Sequence, residues 1–139
     1  MSALTPALCE FLDGQIVGVL ATERSGAHAL QSVVYYARDG ERLLVSSVAG
    51  RRKVTDVELT GWASICVMGF ERPYPSATFS GSAQILTDGI GPATAAVAQR
   101  VTGSDEPPEP QTDEALAAAG RVIVAITIER VSAVTHMER

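Results

Sequence analysis

The sequence predicts a mainly β domain, a small antiparallel barrel of six strands with short helices at its corners. Three observations carry this. Six apolar runs rich in β-branched residues, at 15–23, 28–37, 41–48, 62–70, 76–86 and 121–134, are separated by turn and helix signals. Asp39-Gly40, between the second and third runs, is a strong signal for a tight hairpin. The last run is long, and a long closing strand suits a barrel that leaves few open edges.

Bulk composition narrows the possibilities. With 139 residues, one domain spanning 1–139 is expected, and 46% apolar residues are enough for a real core. A net charge of −5 argues against a nucleic-acid partner. No apolar run is long enough to span a bilayer. The first residues lack the positive region of a signal peptide, so the cytoplasm is the expected compartment. Cys9 and Cys66 are isolated and read as buried thiols. His28 and His136 are far apart and in no ligand spacing, so no metal site is expected, and each is more often a surface residue than a base.

In chain order, Thr5-Pro6 reads as an N-cap followed by proline in the first helical turn, with Ala7, Leu8, Phe11 and Leu12 on one face and Gly14 just past the end. The run 15–23 is apolar enough to be buried on nearly both faces, and 24–27 is a turn. The runs 28–37 and 41–48 continue it as a meander. Gly61 should stop the helix that follows. The fourth strand leads through a rigid turn, Arg72-Pro73-Tyr74-Pro75, into the fifth, where Gly81 marks a bulge. A helix follows at 93–101. The acidic, proline-rich segment 103–111 reads as a mobile loop. Thr112 caps a short helix at 113–119 that ends at Gly120. In the final run, VIVAITI is a buried pattern and ERVSAV a more polar one.

The stretch with most chemistry is LLVSSVAGRRKVTDV, residues 43–57. It reads as a strand ending in Ser46 and Ser47, a break at Ala49-Gly50, and a helix with Val54, Val57 and Leu59 on its inner face. Arg51, Arg52 and Lys53 fall on its first turn. That turn carries unpaired N–H groups and a partial positive charge, so carboxylates normally sit there. Three cations in that place call for an anion, and a phosphate would satisfy both the N–H groups and the side chains. The bland alternatives are a solvated basic turn or pairing with Asp56 or Glu58. Neither a Walker loop nor a G-x-G-x-x-G motif is present. Nor is there a Ser-His-Asp or Cys-His set, or a carboxylate pair. Trp62, Tyr35 and Tyr36 read as core or interface residues. An enzyme with so few acid–base groups needs a cofactor to carry its chemistry.

The segments 16–22, 43–56 with Arg51-x-Lys53, 63–67 and Gly81-Ser82-Ala83-Gln84-Ile85 occur in an order and spacing that resembles the split β-barrel flavin and deazaflavin proteins, the pyridoxamine 5'-phosphate oxidase-like superfamily. The similarity covers most of the chain, and the branch it looks most like is the B-type F420-dependent oxidoreductases, which include biliverdin reductases. The resemblance implies a six-stranded antiparallel split β-barrel. It implies a homodimer that reduces an unsaturated small-molecule acceptor, such as a biliverdin-like tetrapyrrole or a quinone-like molecule, with a hydride from reduced F420. It implies that Arg51 and Lys53, within the Arg51-Arg52-Lys53 turn, hold the cofactor's phosphate arm with help from Ser46 and Ser47. The ring would lie near Ser32 and Val48, and Tyr74 would come from the partner protomer. Ser32 and Val34 stand where relatives carry Asn or Gln. The alternatives are an FMN-binding oxidase or reductase of the same fold, and a non-catalytic binder of a flavin, a deazaflavin or haem.

Overall fold

The computed structural model describes residues 2–24 and 28–137. Residues 25–27, in the expected turn after the first strand, lie outside the described residues. Helix α1, Pro6–Gly14, starts as its sequence requires: the Thr5 hydroxyl accepts from the Leu8 N–H at 3.2 Å. Leu8 and Leu12 are its buried face. Gly14 is the last helical residue rather than the one beyond the end.

The fold is mainly β, an antiparallel sheet curled into a split barrel. Its strands are β1 (Val17–Glu23), β2 (Ala29–Tyr35), β3 (Ala37–Asp39), β4 (Arg42–Val48), β5 (Trp62–Met68), β6 (Ser76–Leu86), β7 (Arg121–Thr127) and β8 (Arg130–Thr135). Their order is β2-β1-β5-β6-β7-β4-β3, with β8 also on β6. Eight strands replace the expected six because two of the six runs break.

The first break is at Tyr36. Before it the chain pairs with β1, and after it with β4 through the Asp39-Gly40 hairpin, so the expected meander does not form across 28–48. Tyr36 is wholly buried, and its hydroxyl donates to the Leu12 carbonyl at 2.6 Å. The two ends of the sheet path, β2 and β3, are therefore joined by the chain itself. Arg100 braces the same corner: its guanidinium lies over the Tyr36 ring and donates to the carbonyls of Asp13, at 3.1 Å, and Gln15. Between them, these side chains serve carbonyls at and just past the C-terminal end of α1, where Leu12 also accepts from the Gln15 N–H at 3.3 Å.

The second break is a bulge. Ala83 opposes Ile126, but Ser80, three residues back, opposes Arg130, four residues on. One extra residue thus sits around 127–129, facing Gly81. The bulge expected at Gly81 exists, with the extra residue on the partner strand. A Cβ at Gly81 would lie 1.9 Å from the Thr127 carbonyl oxygen, so only glycine fits. At this point the sheet folds over and the final strand becomes more polar.

The barrel interior holds Leu8, Leu12, Leu20, Leu43, Ile65 and Phe79. Each such side chain contributes about 1.5–3 kcal/mol by leaving water. A second cluster, including Leu44, Ile90, Val97, Leu116 and Ile123, lies between the outer face of β4 and β7 and two helices, α3 (Gly91–Thr102) and α4 (Asp113–Ala118). Helix α3 starts two residues before the expected 93, because Pro92 is tolerated in the first turn. Thr112 caps α4 by accepting from Ala115 N–H at 3.2 Å. The acidic loop after α3 runs back along that helix: the Gln99 amide donates to the carbonyls of Ser104 and Asp105, and Gln111 packs on Gly91.

Strand β1 is buried on one face only, with Leu20 and Thr22 inside and Val19 outside. Register places Val19 between Val33 and Cys66, and Val17 beside Tyr35. With Met68 they form an exposed, mostly apolar outer face, on which Val33 is 72% exposed. Cys66 is on this face rather than in the core, because Ile65 and Val67 take the inward positions of β5, and Cys9 is half-buried. Among the described residues no helix is long and apolar enough to cross a membrane.

Candidate functional site: a cationic cleft beside the start of α2

Helix α2, Arg52–Thr60, follows β4 after a turn at Ala49-Gly50. Arg51 is its N-cap, with extended backbone and no side-chain cap. Gly61, at φ 65°, ends it as expected. Val54 and Val57 are buried, whereas Leu59 is exposed and not part of the inner face. The first N–H groups of this helix thus receive no side-chain acceptor, and the residues around them are basic.

Next to this turn is a cleft of about 380 Å³. Its polar lining comes from Ser46 on β4, Lys53 on α2, Arg121 at the start of β7, and Thr94 and Thr102 on α3. Its apolar lining includes Val33 and Tyr35 from β2 and Val97 and Val101 from α3. Arg121 donates to the Ser46 hydroxyl. It reaches that position because β7 pairs with β4 in the register Val48 to Arg121. Burial, and then the Arg51 charge, lower the pKa of the Lys53 ammonium from its ordinary value. Among the described residues, neither Lys53 nor Arg51 forms an ion pair. A bound anion would relieve that repulsion and accept from Lys53, Arg121 and the helix N–H groups.

The sequence candidates divide. Ser46 and Lys53 line the cleft, Val48 lies on the same outward side of β4, and Arg51 stands at the edge close enough to act on Lys53. Ser47 alternates inward and is buried. Ser32 lies opposite Leu20, and its hydroxyl is buried without a hydrogen-bond partner. The Arg52 side chain turns to Asp56, with Nε 3.4 Å from Oδ2, and donates to the His28 carbonyl. Pairing with Asp56 was one of the bland alternatives, and it holds for this one cation. Tyr74 sits in the β5–β6 turn, where Arg72 Nε donates to its hydroxyl at 3.4 Å, and it is not among the cleft residues. His28 and His136 are exposed.

Sequence reasoning missed Arg121. Its local signal is slight: a cation straight after a glycine, opening an apolar strand. Only the pairing of β7 with β4, across more than seventy residues of chain, brings it to Ser46. It also missed the apolar side of α3 as a cleft wall. Alternating Val97 and Val101, one turn apart, carried that signal.

Comparison with known proteins agrees with this architecture. A family model described as pyridoxamine 5'-phosphate oxidase matches residues 4–135. No curated protein matches the sequence. Among solved structures, the chain is similar to a conserved hypothetical protein from Mycobacterium tuberculosis, at 20% identity and TM-score 0.73, covering 92% of this chain and 82% of that one. An F420 reductase matches at 24% identity and TM-score 0.70, covering 88% and 94%. An FAD-binding protein from Mesorhizobium loti matches at 23% identity and TM-score 0.68, covering 92% of each chain. At these identities the solved structures speak for the fold.

Proposed function

This chain belongs to the pyridoxamine 5'-phosphate oxidase family, and on that premise we propose that it is an oxidoreductase whose cleft holds a phosphate-bearing, flavin-type cofactor. Reduced F420 is the favoured form and FMN the alternative. The observation that carries this reading is the cleft's mixed lining: Lys53 and Arg121, which form no ion pair among the described residues, share it with the apolar side chains of Val33, Tyr35, Val97 and Val101. A ring joined to a phosphate calls for the same two kinds of surface, and about 380 Å³ lies within the usual range of ligand pockets.

The chain's own residues have binding and positioning roles. Lys53, Arg121 and the N–H groups opening α2 take the phosphate, with Arg51 adding charge at the edge. Ser46 fixes the Arg121 guanidinium. Val33, Tyr35, Val97 and Val101 exclude water from the flat part of the ligand. The reduced deazaflavin, when bound, supplies the hydride for an unsaturated acceptor such as a biliverdin-like or quinone-like molecule. Among the described residues no carboxylate or histidine lines the cleft, and in this reading solvent or the substrate supplies the proton.

The same proposal includes a homodimer in a reducing cytoplasm. Its support is the exposed outer face of β2, β1 and β5, where Val33, Val19, Tyr35 and Met68 lie side by side next to the cleft. Tyr74 of a second copy is the candidate to complete the site.

A paired titration of the purified protein with F420 and FMN, followed by fluorescence, tests the reading. Tight F420 binding with weak FMN binding is the expected result, followed by turnover with a conjugated acceptor. The reverse preference selects the FMN alternative. Binding of neither withdraws the redox function while leaving the fold intact.

A further inference from the structure

Asp56 is wholly buried, an expensive place for a carboxylate unless it is paired. Three groups meet it. Thr22 on β1 donates its hydroxyl to Oδ2 at 3.1 Å, Arg52 Nε lies 3.4 Å from Oδ2, and Arg24 Nε lies 3.4 Å from Oδ1. The Arg52 guanidinium also donates to the His28 carbonyl. The cluster therefore ties α2 to β1, to Arg24 and to the backbone of His28.

Its effect on the cleft is one of charge. Of three consecutive cations at the start of α2, the middle one is held inside this cluster. The cleft wall keeps Lys53 and Arg121, with Arg51 at the edge. A phosphate monoester carries about −1.5 to −2 near neutral pH, which two to three cations and the helix N–H groups balance. A diphosphate carries more charge and more acceptor oxygens, and would use a further guanidinium.

We propose that Asp56 is a specificity-determining residue: by withdrawing Arg52 it fits the site to a single phosphate group and disfavours diphosphate-bearing ligands. This rests on reading the cleft as a phosphate site. Asp56 touches no ligand; it acts through Arg52.

The test is calorimetric titration with inorganic phosphate and with pyrophosphate, on the full chain and on Asp56→Asn, Arg52→Ala and the double variant. Asparagine keeps the side-chain volume and an acceptor for Thr22. The released Arg52 gains a charge-assisted bond to the larger anion, so Asp56→Asn should raise pyrophosphate affinity relative to phosphate by about tenfold or more. The double variant should return to the parent ratio, which a merely structural role for Asp56 would not produce. Arg52→Ala alone should bind both anions as the parent does, and Asp56→Ser, which also releases Arg52, takes the place of Asp56→Asn if that variant fails to fold. The inference is overturned if the ratio in Asp56→Asn stays within about twofold of the parent, if the shift persists in the double variant, or if Arg52→Ala loses phosphate affinity. If the parent binds neither anion, the reading of the cleft falls too, an outcome distinct from phosphate binding with an unchanged ratio.

Discussion

Two clefts of similar size flank α3, about 380 Å³ on the side of α2 and about 400 Å³ on the side of the β3–β4 hairpin. Both are lined by cations and apolar side chains, yet they are chemically unlike. In the hairpin cleft every cation has a carboxylate. Arg38 meets Asp13 at 2.8 Å in a two-pronged contact, and Arg42 meets Asp39 at 3.1 Å. In the α2 cleft the cations have hydroxyl or no partners: Arg121 meets Ser46, and Lys53 forms no ion pair among the described residues. A paired cation is structural and spends its charge internally. An unpaired cation in a half-buried cleft costs stability and marks a place prepared for an external anion.

The largest effect should come from emptying the prepared cleft. Lys53→Ala with Arg121→Ala removes two charge-assisted hydrogen bonds worth roughly 1.5–3 kcal/mol each, so cofactor affinity should fall by about two to four decades. Arg38→Ala with Arg42→Ala, the matched change in the other cleft, should leave affinity within about twofold. Equal losses in titration would erase the distinction between the two sites.

A smaller effect separates binding from scaffold. Tyr36→Phe removes the hydroxyl donor to the Leu12 carbonyl, which keeps the Gln15 N–H at 3.3 Å, and should cost about 0.5–1.5 kcal/mol in denaturant unfolding. Cofactor affinity measured under native conditions should not change, because Tyr36 lines neither cleft.

Next comes pH. Burial and the Arg51 charge lower the Lys53 pKa from its ordinary 10.5. In the free protein Lys53 loses its proton before the unfolded chain does, so its contribution to stability rises with pH from the folded value up to about 10.5. Anion affinity should fall over that same window, as the ammonium charge is lost. Lys53→Met should remove both trends, read by thermal melting and by titration across alkaline pH.

The smallest effect belongs to the paired cleft. The Arg38 hydrogen bond lowers the Asp13 pKa from its usual 3.8. That contribution is fully present above 3.8 and is lost as pH falls through the lower folded value. Asp13 is half exposed, so solvent screens the pair and the acid-limb change in Asp13→Asn should be only just measurable by melting.

Much of this protein could be read from the chain, and the division between what could and could not is physical. The caps at Thr5 and Thr112, the stops at Gly61 and Gly120, the Asp39-Gly40 hairpin and the basic opening of α2 are local. Each depends on a few neighbouring residues and on backbone geometry that those residues favour by themselves. The mainly β class followed from period and composition for the same reason.

Tertiary structure decided what depends on distant partners. Register against β7 brought Arg121 to Ser46, and alternation along β4 turned Ser47 inward while leaving Ser46 at the cleft. Asp56, in sequence one of two carboxylates that could pair with the basic turn, became a buried carboxylate and drew Arg52 away from its two neighbours. The strand breaks at Tyr36 and around 127–129 fall where the curled sheet changes pairing partners, at corners held by the Tyr36 contact with α1 and by the close approach of Thr127 to Gly81. Local preference determined which elements form. Pairing across the sheet determined which of their side chains meet, because a one-residue change of register turns every side chain to the opposite face.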